Sequence, residues 1–160
     1  MQRLMCGPGD IVASGHAGDE LVSYALGSCV AVMLHDPVSG AVAMAHVVLP
    51  GRPPPDGGAS KPGYYAPSAV SALFTAFATV GGVAIRAKAA LAGGASVIDG
   101  MHAFDVGHRN ILATRKALWS RGLMPYGEDV AGGHSRTVRL AAGTGSVTLT
   151  SPSIGTWTLN

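Results

Sequence analysis

Two apolar runs, residues 30–34 and 41–49, flank the stretch Asp36-Pro37-Val38-Ser39-Gly40, and no other feature constrains the fold as much. Asp, Pro, Ser and Gly in such a cluster give a strong turn signal, so the two runs pair as a β-hairpin. Residues 11–13 and 21–26 are shorter apolar runs separated by a polar, Gly-bearing turn, and they read as strands. A late hairpin joins residues 137–140 to 147–149 through Ala142-Gly143-Thr144-Gly145. Pro67 suits the first turn of a helix, and Val70, Leu73, Phe77 and Val80 follow at helical spacing until Gly81. Val83, Ile85, Ala87, Ala89 and Leu91 alternate with Ala84, Arg86, Lys88 and Ala90, which predicts a strand with one buried face. A second helix is expected over 107–121, with Ile111, Leu112, Leu118 and Trp119 on its inner side, Arg115 interrupting that stripe and Gly122 ending it. Two main helices and about seven strands predict an α+β fold, a layered α/β sandwich with mixed and antiparallel sheets.

The composition narrows the function classes. Of 160 residues, 48% are hydrophobic and 12% charged, the opposite of what a disordered chain requires. The 11 Lys and Arg residues against 9 Asp and Glu never cluster, so no surface for neutralising nucleic-acid phosphates is expected. The most apolar stretch, 66–91, carries Arg86 and Lys88 and is broken by Gly81-Gly82, so no membrane insertion is expected. No repeat or long linker divides the chain, and residues 1–160 read as a single domain. With no secretory pattern at its start and two cysteines, Cys6 and Cys29, the chain reads as cytoplasmic with free thiols.

The chemistry concentrates around Cys29. If the hairpin turn centres near Val38, Cys29 falls opposite His46 or Val47, and opposed residues on one face have Cβ atoms about 4.5–5.5 Å apart. An imidazole there can take the thiol proton and stabilise the thiolate. Gly27 and Ser28 precede Cys29 directly, and backbone N–H groups at such a turn can form an oxyanion hole. Ser23, one short strand earlier, can orient the imidazole as the third member of a triad. Each residue also has an ordinary structural reading: buried cysteine as packing, a satisfied core histidine, a locally bonded hydroxyl. Spacing alone leaves both readings open.

The other clusters carry less. His102, Asp105 and His108 can be drawn as a metal site, but no further ligand lies near in sequence and none is expected. His16, His35 and His134 sit by turns and read as solvated. Gly93-Gly94-Ala95-Ser96 lacks the Lys-Ser/Thr ending of a phosphate-binding loop and reads as a tight turn. Tyr64 and Tyr65 read as packing against the first helix. The Gly- and Pro-rich loop 51–63 follows His46 closely, which predicts that it borders the substrate groove.

Leu26-Gly27-Ser28-Cys29-Val30-Ala31-Val32, with Ala43-Met44-Ala45-His46-Val47-Val48-Leu49-Pro50, resembles the chemoreceptor glutamine deamidase family, CheD. The likeness continues through Lys61-Pro62-Gly63-Tyr64-Tyr65, Gly93-Gly94-Ala95, Val106-Gly107-His108-Arg109-Asn110, Glu128-Asp129, Gly132 and Arg136. It implies an amidohydrolase that converts protein glutamines on chemoreceptor cytoplasmic domains to glutamate, in a layered fold related to cysteine-dependent deamidase toxins. It maps the nucleophile to Cys29 and the base to His46, and places Ser23 where the family has threonine. Ala131 stands where the family usually has glycine, which puts the turn near Gly132 in question. No metal or organic cofactor is implied, since the thiolate is the nucleophile. A CheC-type phosphatase is an implied partner. Two alternatives follow from the same likeness: a regulatory module that binds such a phosphatase, and a receptor glutamate methylesterase.

Overall fold

The computed structural model describes residues 1–54, 61–96 and 105–159. Within them the chain forms, in order, β1 (Arg3–Met5), β2 (Ile11–Ser14), β3 (Glu20–Leu26), β4 (Val30–His35), β5 (Val42–Val47), α1 (Ala66–Thr79), β6 (Lys88–Gly93), α2 (Val106–Trp119), β7 (Pro125–Val130), β8 (Arg136–Ala141), β9 (Val147–Ser151) and β10 (Gly155–Thr158). One sheet runs β1-β3-β8-β9-β10, and a second runs β2-β5-β4-β6-β7. Each contains one parallel pairing, β1 with β3 and β6 with β7, and is otherwise antiparallel. The expected α+β class, a layered sandwich with mixed sheets and two main helices, is what the chain adopts.

Why β4 and β5 are apolar throughout follows from their place. They are interior strands of the second sheet, and both of its faces are covered. Val30, Val32, Leu34, Ala43, Ala45 and Val47 pack beneath Val70, Leu73 and Phe77 of α1 and Ile111 and Leu118 of α2. Ala31, Met33, Val42 and Met44 face the first sheet, against Leu21, Val138, Leu140 and Leu149. The strands β8 and β9 cover the core with one face only, and their buried and half-buried residues alternate accordingly. The layers are therefore helices, second sheet, first sheet.

Three expectations need correction. The strand expected over 83–91 is half right: Ala84–Arg86 forms a short 3-10 turn and only Lys88–Gly93 extends. Alanine-rich alternation carries little strand preference, and the Arg86 side chain is drawn to the buried Asp36 carboxylate instead. On α2, Leu112 and Trp119 are exposed, while Gly107, Asn110, Ile111, Thr114 and Leu118 are buried. The inner stripe keeps helical spacing but is partly polar, so an apolar count misplaces it. Finally, β1, β7 and β10 were not legible. β7, Pro-Tyr-Gly-Glu-Asp-Val, is poor in strand formers and exists as an edge strand beside β6, with α2 as the crossover a parallel pair needs.

Candidate active site

The loop that carries Cys29 is the crossing between the two sheets. Ser23 points inward from β3, fully buried. Beyond it the pairing of β3 with β8 slips between Ser23 and Leu26, and Ala25 takes a left-handed φ of 50°. This bulge leaves Tyr24 and Ala25 exposed and turns the chain toward the second sheet. Gly27, Ser28 and Cys29 then complete the crossing. The turn at Gly93-Gly94 holds it: Gly94 N–H donates to the Cys29 carbonyl and Ala95 N–H to the Gly27 carbonyl, both at 2.8 Å. A side chain at Gly93 would collide with the Cys29 carbonyl. Gly93 ends β6, Gly93 and Gly94 both take a positive φ, and the segment backs the Cys29 loop.

The hairpin register differs from the expectation. Ala31, not Cys29, stands opposite His46. Cys29 lies two residues before Ala31, so it sits one diagonal step from His46, a backbone separation of about 7–8 Å. The half-buried Cys29 packs against the core between the sheets, beside Ala31, Met33 and Met44, the face His46 also takes by its place in β5. Among the described residues no hydrogen bond joins thiol and imidazole; the imidazole is tied elsewhere.

That tie is to a main-chain oxygen. Nδ1 of His46 lies 3.0 Å from the carbonyl oxygen of Cys6. A carbonyl only accepts, so Nδ1 carries the proton and Nε2 keeps the basic lone pair. The Ser23 hydroxyl donates to the same oxygen at 2.7 Å and stands 3.4 Å from Nδ1. Ser23 was expected to bond the imidazole itself; its shorter contact is with the carbonyl that orients the ring. The backbone of His46 is clamped as well, with Gly9 N–H donating to its carbonyl at 2.9 Å and its own N–H donating to Asp10 at 3.1 Å.

Burial sets the resting charges. It pushes the His46 pKa down, against the Cys6 carbonyl and the Asp10 charge, which raise it. It pushes the Cys29 thiol up. Both shifts favour a neutral thiol and a neutral imidazole near neutral pH. Cys6 has no access to such chemistry: its thiol is wholly buried, faces the carbonyls of Asp10 and Met44 at 3.4 Å, and is pushed up to about 12 by burial. Its contribution is its carbonyl, and side-chain identity carries no signal for that. The amides of Gly27, Ser28 and Cys29 donate no hydrogen bond among the described residues.

The remaining candidates separate. Residues 55–60 of the loop and His102 lie outside the described residues. The returning end of the loop is next to the site: Lys61 Nζ pairs with Asp10 at 2.9 Å, and Gly63 N–H donates to Gly9 at 2.8 Å. Tyr64 lies beside Gly9 and its ring is tilted against that of Tyr65, and Tyr65 precedes α1 as its N-cap. Asp105 caps α2 by accepting from His108 N–H at 3.3 Å. No three His, Cys, Asp or Glu side chains gather to hold a metal among the described residues, and no described helix is long and apolar enough to cross a membrane. His35 and His134 are half-buried rather than solvated, His35 with Nε2 3.0 Å from the Gly143 carbonyl and His134 edge-on to Trp157.

The family described as CheD chemotactic sensory transduction matches residues 48–151. A probable chemoreceptor glutamine deamidase of Syntrophotalea carbinolica is 38% identical over 164 residues, covering 98% of this chain and 99% of that protein. One of Solibacter usitatus is 38% identical over 151 residues, 93% of this chain and 89% of the relative. The chemoreceptor glutamine deamidase of Thermotoga maritima is 39% identical over 127 residues, 79% of this chain and 78% of the relative.

Proposed function

The chain belongs to the CheD family, and from that premise we propose that it is a protein-glutamine deamidase acting on chemoreceptor cytoplasmic domains in chemotaxis. One observation carries the reading: a half-buried thiol at a strand end shares the inter-sheet face with an imidazole whose Nδ1 is pinned. That is the arrangement of a nucleophile and its base. In the proposed reaction Cys29 Sγ attacks the side-chain amide carbon while His46 Nε2 takes the thiol proton. The amides of Gly27, Ser28 and Cys29 receive the oxyanion. The imidazolium protonates the amide nitrogen, the C–N bond breaks, and ammonia leaves a thioester on Cys29. Water then gives a proton to Nε2 and attacks the thioester. The thiol leaves with the proton that Nε2 returns, and the substrate keeps a carboxylate. Thiolate chemistry of this kind calls for no metal or organic cofactor.

The reading extends to its surroundings. Residues 1–160 are taken as a single domain, supported by a first sheet that draws β1 and β10 from opposite ends of the chain. The site of action is the cytoplasm, and a CheC-type phosphatase is a binding partner, tested by co-purification with Cys29→Ala, which should still bind. The deciding assay incubates the protein with receptor cytoplasmic fragments and weighs the peptides. Each converted glutamine should gain about one dalton with release of ammonia, and Cys29→Ala should release none. Methanol release without ammonia would replace this reading by a methylesterase, and no mass change would remove it.

A further inference from the structure

A polar side chain on the packing face of a helix needs a reason to be buried, and Asn110 of α2 is wholly buried. Its amide nitrogen donates two hydrogen bonds, both at 2.9 Å, to the carbonyls of Ser28 and Val48. Both partners only accept, so the side-chain amide is oriented with nitrogen toward them, and Oδ1 has no partner among the described residues. Ser28 immediately precedes the proposed nucleophile Cys29, and Val48 lies two residues beyond His46. One NH2 group thus joins the loop that holds the thiol to the end of the strand that holds the imidazole.

The helix is seated closely enough for this to matter. A Cβ at Gly107 would stand 2.7 Å from the Gly94 carbonyl oxygen, and one at Gly94 would meet the Ile111 side chain at 2.5 Å. The first turn of α2 therefore rests directly on the Gly93-Gly94 turn, which itself holds the Cys29 and Gly27 carbonyls. Because hairpin register leaves Cys29 and His46 on a diagonal rather than face to face, their separation depends on where the loop ends. The bridge from Asn110 ties Ser28 to Val48, alongside the bonds from Gly94 and Ala95 to the Cys29 and Gly27 carbonyls.

We propose that Asn110 is a positioning residue for the reaction, fixing the distance between the Cys29 thiol and the His46 imidazole by bridging the Ser28 and Val48 carbonyls. It touches no reacting atom. The inference rests on the deamidase reading, so the parent must first release ammonia from receptor fragments; its failure to do so would remove that reading and not this one alone.

With an active parent, the test compares Asn110→Ala, Asn110→Ser and Leu118→Ala at a temperature where melting curves show each variant folded. Leu118 is buried on the same helix, about 12 Å along its axis from Asn110, and controls for general loss of helix packing. Asn110→Ala should lose roughly 100-fold in kcat with KM for the receptor fragment within about twofold, since misplacement by about 1 Å has that cost. Asn110→Ser, which retains one donor, should recover part of kcat. Leu118→Ala should melt lower and keep its kcat. An Asn110→Ala enzyme with parental kcat would overturn the proposal. So would equal loss in Leu118→Ala, or failure of both Asn110 variants to fold, either of which makes Asn110 a residue of the fold alone.

Discussion

Ser23 and His46 share one acceptor: the hydroxyl and Nδ1 reach the Cys6 carbonyl oxygen at 2.7 and 3.0 Å. Ser23 therefore holds the oxygen that holds the ring, one step removed from the proposed proton transfer. The Ser23→Ala enzyme should keep measurable turnover, down about tenfold, while His46→Ala should lose 100-fold or more, as general bases do. Ser23→Thr keeps the hydroxyl on a stiffer side chain and should match or exceed the parent. Steady-state ammonia release from a receptor fragment measures all three. Full activity in Ser23→Ala would show that the carbonyl holds the imidazole unaided.

Thiol labelling separates the two cysteines. Half-buried Cys29 should react with iodoacetamide far faster than Cys6, which is wholly buried and pushed up to about 12. Because burial also raises the Cys29 thiol, its rate should climb by about tenfold per pH unit from 6 to 8 without reaching a plateau. Peptide mass mapping of the labelled protein reads both sites. A plateau near pH 6 would mean a thiolate–imidazolium pair already formed at rest.

Ala131 adopts a left-handed φ of 68° beside Gly132 at 75°, and Arg136 Nη2 fixes its carbonyl at 2.6 Å. The turn therefore forms without the glycine, at the cost of backbone strain. Ala131→Gly should stabilise the protein by about 1 kcal/mol and raise the melting temperature by about 3 °C. Turnover should not change. A lower melting temperature would mean that chain entropy outweighs the relieved strain.

Asp36 is wholly buried, receives the Arg86 guanidinium at 2.8 and 3.0 Å and caps the Val83 N–H at 2.9 Å. Those donors hold its carboxyl well below the usual range. The stability it contributes is complete above the unfolded pKa of about 4 and is lost as pH falls below that. Denaturant titrations should show the parent weakening from pH 4 to 2, and Asp36→Asn should flatten that slope. At pH 7 the substitution should cost about 2 kcal/mol, less than for a fully buried pair because the Arg86 side chain is 36% exposed. His46 acts at higher pH: its pKa is depressed in the folded state, so stability falls as pH drops below about 6.5.

What could be read from the residues followed from local rules. The Asp36–Gly40 turn, the strands on either side and the first helix after Pro67 each rest on short-range chemistry, and each formed. Cys29, His46 and Ser23 stand out through the motifs that carry the family resemblance, whereas spacing alone leaves their ordinary structural readings open. Register was not legible to the residue, since a turn of five residues allows several closures and only tertiary packing selects one. Neither was Asn110: polar residues on helices usually face water, and its partners are carbonyls 82 and 62 positions away. Edge strands such as β1 and β7 form because a neighbour offers unpaired backbone, which composition does not record.

The oxygen that orients His46 belongs to the main chain of Cys6. Every amino acid supplies that atom, so no codon change at position 6 deletes it, and drift there is limited only by the closed, apolar space around the side chain. Vulnerability moves instead to the path of the backbone. A protease clipping the chain just after Cys6, or a fusion that pulls β1 off β3, would leave every proposed catalytic side chain intact and still unfasten the imidazole.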